Sequence, residues 1–183
     1  MTLKEKREML ESLGKDATLY IDMDGVLAKW EEGCTYERTL APRYFYYLEL
    51  EEAAKVAVLL LAEAGFKVCV LSAAYEDGTA REDKALWLEK HGLGNINRLF
   101  VPCGVPKSDF INVEPGKYYF LLDDYNFNLT TWTDTKKNDG KFIAIKFLNG
   151  INGGGNVWSG RTIYHFSDGE TIANTLADFM VMA

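Results

Sequence analysis

The sequence predicts an α/β fold, a parallel sheet with helices on both faces, on three observations. Apolar strand-like runs recur at LYI, KVCVLS, RLFV, KYYFLLD and KFIAIKF, helical patterns lie between most of them, and polar residues cluster just after the runs. Such alternation gives parallel strands joined by crossover helices. The 183 residues, 48% of them hydrophobic, suffice for one sizeable core, so 1–183 reads as a single domain.

In chain order, MTLKEKREMLESLG is a charged amphipathic helix without a signal peptide's apolar centre. No stretch approaches the roughly 20 apolar residues of a membrane span, so cytoplasmic residence without membrane contact is the expectation. The run LYI ends at Asp22 and Asp24, with Gly25 directly behind. Residues 31–50, with the aromatic tract RYFYYLEL, read as a small helical cap insertion standing above the sheet. At least two of Tyr44, Phe45, Tyr46 and Tyr47 are expected to fill core. The crossover helix EEAAKVAVLLLAEAG follows, stopped by Gly65.

KVCVLS ends at Ser72, and Thr79 with Glu82 predicts a capping box for a helix through ALWLEK that Gly92 terminates. RLFV is followed by Lys107, and KYYFLL by Asp123 and Asp124. Ser167 with Glu170 predicts a second capping box, before TIANTLADFM. The glycine-rich NGINGGGNVWSG, residues 149–160, lacks the G-K-[ST] ending of a phosphate-binding loop and reads as a mobile loop.

Composition removes several functions. A net charge of -7 argues against a protein that holds nucleic acid by its phosphates, though local cations could still bind a small anion. The three cysteines, Cys34, Cys69 and Cys103, show no C-x-x-C spacing and read as buried thiols rather than bridges or zinc ligands. Both histidines have structural readings, His91 at a helix end where a cation favours the dipole and His165 in the alternating TIYHF. Carboxylates remain as the chemical groups.

In an open parallel sheet, chemistry collects at the carboxyl ends of the strands. Asp22 and Asp24, Ser72, Lys107, and Asp123 with Asp124 all fall at such ends. Any one of these could be a turn former or a helix cap; together they are hard to assign that way. Lys117 competes for the lysine position, but it begins a strand, whereas Lys107 lies in a loop behind RLFV.

The order Asp22-Met23-Asp24-Gly25-Val26, Ser72, Lys107, Asp123-Asp124 resembles the haloacid dehalogenase (HAD) superfamily, whose signature is D-x-D-G-[VT], then Ser or Thr, Lys and an acidic pair. IDMDGVLAKW, LSAA, KALWLEKH, RLFVPCG and LLDDYNFNLTTW make the match similar to its 5'(3')-deoxyribonucleotidases. The resemblance implies a Rossmann-like HAD sheet with a cap, and a magnesium-dependent phosphomonoester hydrolase acting through an aspartyl-phosphate on nucleoside monophosphates. Asp22 would be the nucleophile and Asp24 the general acid and base. Gly25 would let the backbone approach the phosphate. Ser72, backbone N–H groups around Ala73, and Lys107 would hold phosphoryl oxygens, and Asp22, Asp24, Asp123 and Asp124 would form the Mg2+ site. Trp30, Tyr44 and Phe45 would hold the base. A phosphatase for another small ester, such as a sugar phosphate, and a non-catalytic binding protein are the alternatives. The sequence leaves a homodimer open.

Overall fold

The computed structural model describes residues 1–76, 78–152 and 158–183. In order these form α1 (Leu3–Ser12), β1 (Ala17–Ile21), α2 (Tyr36–Thr39), α3 (Glu52–Glu63), β2 (Lys67–Ala73), α4 (Ala80–Lys90), β3 (Asn97–Val101), β4 (Tyr118–Asp123), α5 (Asn126–Thr133), β5 (Lys141–Leu148), β6 (Arg161–Tyr164) and α6 (Gly169–Met182). Short 3-10 turns cover Phe45–Tyr47 and Lys107–Phe110. The central part of the glycine-rich loop, 153–157, lies outside the described residues. Among those described, no helix is long and apolar enough to cross a membrane.

The strands make one six-stranded sheet in the order β3-β2-β1-β4-β5-β6, parallel throughout. This is the α/β parallel sheet the sequence predicts. The chain moves outward through β2 and β3, returns to β4 beside β1, and continues the other way. That reversal opens a crevice above the carboxyl ends of β1 and β4.

Burial on both faces explains why the central strands read as continuous apolar runs. Along β4, Tyr118, Phe120 and Leu122 enter the larger core, together with Leu10 of α1, Leu61 of α3, Trp87 of α4 and Leu176 of α6. Tyr119 and Leu121 enter a smaller core with Leu129 and Trp132 of α5, Ile111 and Val113. Helices therefore flank both faces, unevenly.

Both expected capping boxes give way to other contacts. Thr79 makes no cap bond; its hydroxyl donates to Asp83 Oδ2 at 2.9 Å. α6 is capped by Asp168, whose carboxylate accepts from the Thr171 N–H at 2.8 Å, one residue beyond the expected Ser167. Among the described residues only α1 carries a full box, between Thr2 and Glu5. His91 caps the end of α4, but burial lowers its pKa and its ring lies 4.4 Å from that of Trp87, so it serves as a packed neutral ring rather than a dipole cation. The three cysteines are free thiols; none is fully buried, and Cys103 is exposed. Of the four cap aromatics Phe45 alone is buried, while Tyr47 is 72% exposed.

Candidate active site

β1 ends one residue before Asp22, whose N–H still donates to Leu122 O on β4 at 2.9 Å. The chain then turns sharply. Gly25 takes φ +78°, its N–H donates to Ala28 O at 2.7 Å, and the N–H groups of Leu27 and Ala28 converge on Met23 O. A Cβ at position 25 would stand 2.2 Å from Asp124 Oδ2, so glycine is required both for the turn and for the close approach of Asp124.

β4 delivers the other carboxylates. Asp22, Asp123 and Asp124 each offer an oxygen within 4.8 Å of the others. Lys107 supplies the counter-charge: its fully buried Nζ lies 2.9 Å from Asp22 Oδ1 and 2.7 Å from Asp123 Oδ2. Burial alone would lower the lysine's pKa, but the Asp123 and Asp22 carboxylates more than offset it and hold the ammonium well above its usual range. Asp123 also accepts from the Tyr125 N–H at 2.8 Å and Asn128 Nδ2 at 3.0 Å, so both its oxygens are engaged. Burial, against the pull of Lys107, pushes Asp123 up to about 6. Asp124 rises further, to about 8, through burial and then repulsion from Asp123 and Asp22. Lys117, the competing lysine, pairs with Asp16 at 3.0 Å and Glu114 at 2.8 Å, at the opposite end of the sheet.

A second cation comes from α4. Lys84 is fully buried, and its Nζ donates to Asp24 Oδ2, to Ser72 Oγ at 3.0 Å and to Ala73 O. The other oxygen of Asp24, Oδ1, is buried and has no hydrogen-bond partner among the described residues. Burial raises the pKa of Asp24, with Lys84 pulling the other way and Asp22 adding to the rise. Ser72 thus lies beside Asp24 through Lys84. Ala73 contributes its carbonyl there, and the next N–H, of Ala74, is committed to Val101 O at 2.8 Å.

Sequence reasoning passed over Lys84, although a signal existed: Trp87 and Leu88, three and four residues on, are buried, so Lys84 stands on the apolar face of its helix. It also passed over Asn128 and Asn149; Asn149 Nδ2 donates to Asp124 Oδ2 and to Gly25 O, both at 2.9 Å.

The three aromatic candidates separate. Trp30 and Tyr44 meet edge to face at 6.3 Å and line a cavity of about 600 Å³ with Arg38 and Tyr47. Phe45 is 3% exposed, with the Lys84 ammonium 4.6 Å from its ring centroid and Tyr44 against it at 5.1 Å. It offers no free face to a ligand.

No family model matches the chain, and no curated protein does. Among solved structures, a chain from the structure of the Pnkp1/Rnl/Hen1 RNA repair complex is 20% identical, with a TM-score of 0.50, over 72% of this chain and 43% of that one. A chain from another Pnkp1/Rnl/Hen1 complex is 17% identical, with a TM-score of 0.49, over 71% of this chain and 46% of that one. This chain spans less than half the length of either. At such identity the likeness is one of fold. These findings correct the family expected from the motifs: the neighbours are RNA-repair-complex chains rather than deoxyribonucleotidases, and no family match supports the HAD assignment. The physical reason is that a doubly wound sheet places residues from each strand's carboxyl end in one crevice whatever its family, so the order of four short polar clusters does not establish membership.

Proposed function

We propose that the chain is a magnesium-dependent phosphomonoester hydrolase working through an aspartyl-phosphate on Asp22, with a nucleoside monophosphate as substrate. The observation that carries this reading is the division of labour between two adjacent carboxylates. Asp22 is fixed by Lys107, while Asp24 is held through Oδ2 by Lys84 and its buried Oδ1 has no partner among the described residues.

Asp22 Oδ1 accepts from the Met23 N–H at 2.8 Å and from Lys107, which leaves Oδ2 as the attacking atom. Its lone pair forms the bond to phosphorus as the ester P–O bond breaks. Asp24, whose pKa burial raises against the pull of Lys84, delivers a proton to the departing alkoxide. In the second step Asp24 takes a proton from water, the water oxygen bonds to phosphorus, and the bond to Asp22 breaks to release inorganic phosphate. Lys84, Ser72 and Lys107 face the charge that builds on the phosphoryl oxygens.

A magnesium ion fits these residues. The donors are hard oxygens on closely set carboxylates, and only the missing side chain of Gly25 lets Asp124 lie where it does. Asp22, Asp124 and the backbone carbonyl of Asp24 would hold it, with Asp123 supporting from behind. Bound there, the ion would neutralise the cluster and polarise a phosphoryl oxygen. Trp30 and Tyr44 support a flat leaving group, because stacking on an aromatic face is worth roughly 1–3 kcal/mol per base.

Release of phosphate from a panel of nucleoside monophosphates and sugar phosphates, with and without Mg2+, tests the reading. Magnesium-dependent release that Asp22→Asn abolishes supports it. An Asp22→Asn protein with wild-type turnover overturns it, and equal rates on sugar phosphates overturn the nucleotide assignment alone.

A further inference from the structure

The loop behind β5 reaches the acidic cluster through contacts that the hydrolysis scheme leaves unused. Asn149 and Asn152 lock each other. The Asn149 N–H donates to Asn152 Oδ1 at 2.8 Å, and the Asn152 N–H returns to Asn149 Oδ1 at 3.0 Å. With both acceptor oxygens occupied by backbone N–H groups, both amide nitrogens are turned toward Asp124. Asn149 Nδ2 spends its two hydrogens on Asp124 Oδ2 and Gly25 O, each at 2.9 Å. Asn152 Nδ2 donates to Asp124 O at 3.1 Å and to Phe147 O at 2.9 Å. Lys146 Nζ, buried on β5, also donates to Asp124 O, at 2.9 Å, and to Asn126 Oδ1 at 2.6 Å.

Asp124 is therefore held at three points by the β5 end, and in each it is an acceptor. No donor is found for its Oδ1 among the described residues. An isolated carboxylate pressed against Gly25 and beside two others would turn away from them. The donor on Oδ2 opposes that rotation, and the donors on the backbone oxygen hold in place the main chain that carries the side chain. The same Asn149 amide ties Asp124 to the turn that follows Asp22, although the two stretches are far apart in sequence.

We propose that Asn149 and Asn152 are positioning residues that fix Asp124 with Oδ1 facing the cation site. This rests on the metal reading above and adds the residues that set the geometry of its carboxylate. Neither asparagine touches the reacting atoms; they act through Asp124. A ligand carboxylate whose supporting hydrogen bonds are lost binds its cation about 10–100-fold more weakly.

The test is direct titration of the metal-free chain with Mn2+, followed by electron paramagnetic resonance, for the wild type, Asn149→Ala, Asn152→Ala and Asp124→Ala. Circular dichroism checks that each is folded. The expected result is Mn2+ binding by the wild type, loss in Asp124→Ala, a Kd raised about 10-fold or more in Asn149→Ala and by a smaller factor in Asn152→Ala. Turnover of Asn149→Ala should then be regained at high cation concentration, with the substrate KM at saturating metal unchanged; a merely structural contact would not respond to added metal. Wild-type Kd values in folded Asn149→Ala overturn the positioning role while Asp124→Ala leaves the metal site standing. Should Asn149→Ala fail to fold, Asn152→Ala decides: an unchanged Kd there overturns it. A wild type that binds no Mn2+ removes the metal reading and this inference together.

Discussion

Lys84 on α4 donates to Oδ2 of Asp24 and leaves Oδ1 of the same carboxylate buried without a partner among the described residues. A carboxyl so held has one oxygen anchored on a buried ammonium, and the proposed acid–base role of Asp24 depends on that anchor. Lys84→Met keeps much of the side-chain volume and removes the anchor. Proton transfer by a positioned side chain contributes about 100- to 10,000-fold, so kcat/KM should fall by about 100-fold or more. A Lys84→Met protein with kcat/KM within twofold of the wild type would show that Asp24 does not depend on it.

Gly25→Ala meets two obstacles at once, a backbone at φ +78° and an Asp124 oxygen 2.2 Å from the new Cβ. The left-handed backbone alone costs roughly 1–3 kcal/mol. The clash is relieved only if Asp124 withdraws, so cation binding should weaken more than the melting temperature suggests. Calorimetric titration with Mg2+ beside a melting curve separates the two effects. Unweakened binding in a folded Gly25→Ala protein would contradict the close approach.

Phe45 and Trp30 should behave differently on truncation. Phe45 fills core beneath Lys84, and Phe45→Ala should cost about 3–5 kcal/mol of stability. Trp30 is half-buried at the cavity wall, and Trp30→Ala should raise KM for a nucleoside monophosphate by about 5- to 150-fold, the equivalent of roughly 1–3 kcal/mol of stacking, with less effect on kcat. Chemical denaturation and steady-state kinetics on both variants check the contrast. A KM unmoved by Trp30→Ala would remove the aromatic wall from substrate binding.

What the sequence made legible follows from which groups are buried on all sides. β4 could be read because Phe120, Leu121 and Leu122 face two cores and leave no polar alternation to confuse it. β6 showed only as the alternating TIYHF, because in its four residues only Ile163 is buried, and α5 was missed because Leu129 and Trp132 are its only buried residues. The carboxyl-end clusters were legible from position alone. Lys84 was not, because a lysine in a helix usually faces water; its spacing from Trp87 and Leu88 marks the apolar face, but only the meeting of α4 with the β1 turn shows which carboxylate it serves. The asparagines behind β5 were hidden for a similar reason: a glycine-rich stretch signals a loop but not where the loop is tied.

The two lysines once in competition give a sharp contrast. Lys107 is the buried cation between Asp22 and Asp123, so Lys107→Met strands two carboxylates and should cost about 3–5 kcal/mol, as breaking a buried pair does, along with turnover. Lys117 serves the distant end of the sheet, where it pairs with Asp16 and Glu114. Lys117→Ala should leave turnover within twofold of the wild type. A large kinetic loss in Lys117→Ala, measured at saturating metal, would contradict this placement.

Cation binding should also register as stability. Of the three carboxylates within 4.8 Å, Lys107 pairs directly with Asp22 and Asp123 but not with Asp124, and burial with mutual repulsion pushes Asp124 up to about 8. Folding without a cation therefore works against this cluster, and a ligand that binds only the folded chain relieves it. At a concentration 100 times its Kd, such a ligand adds about 2.7 kcal/mol. For a chain of 183 residues that corresponds to a Tm higher by about 5–10 °C. Melting curves with and without Mg2+ should show this shift, and a chelator should reverse it. Asp124→Asn lowers the repulsion but removes a charged ligand, so it should raise the metal-free Tm while shrinking the response to Mg2+. An intact magnesium response in that variant would place the ion elsewhere.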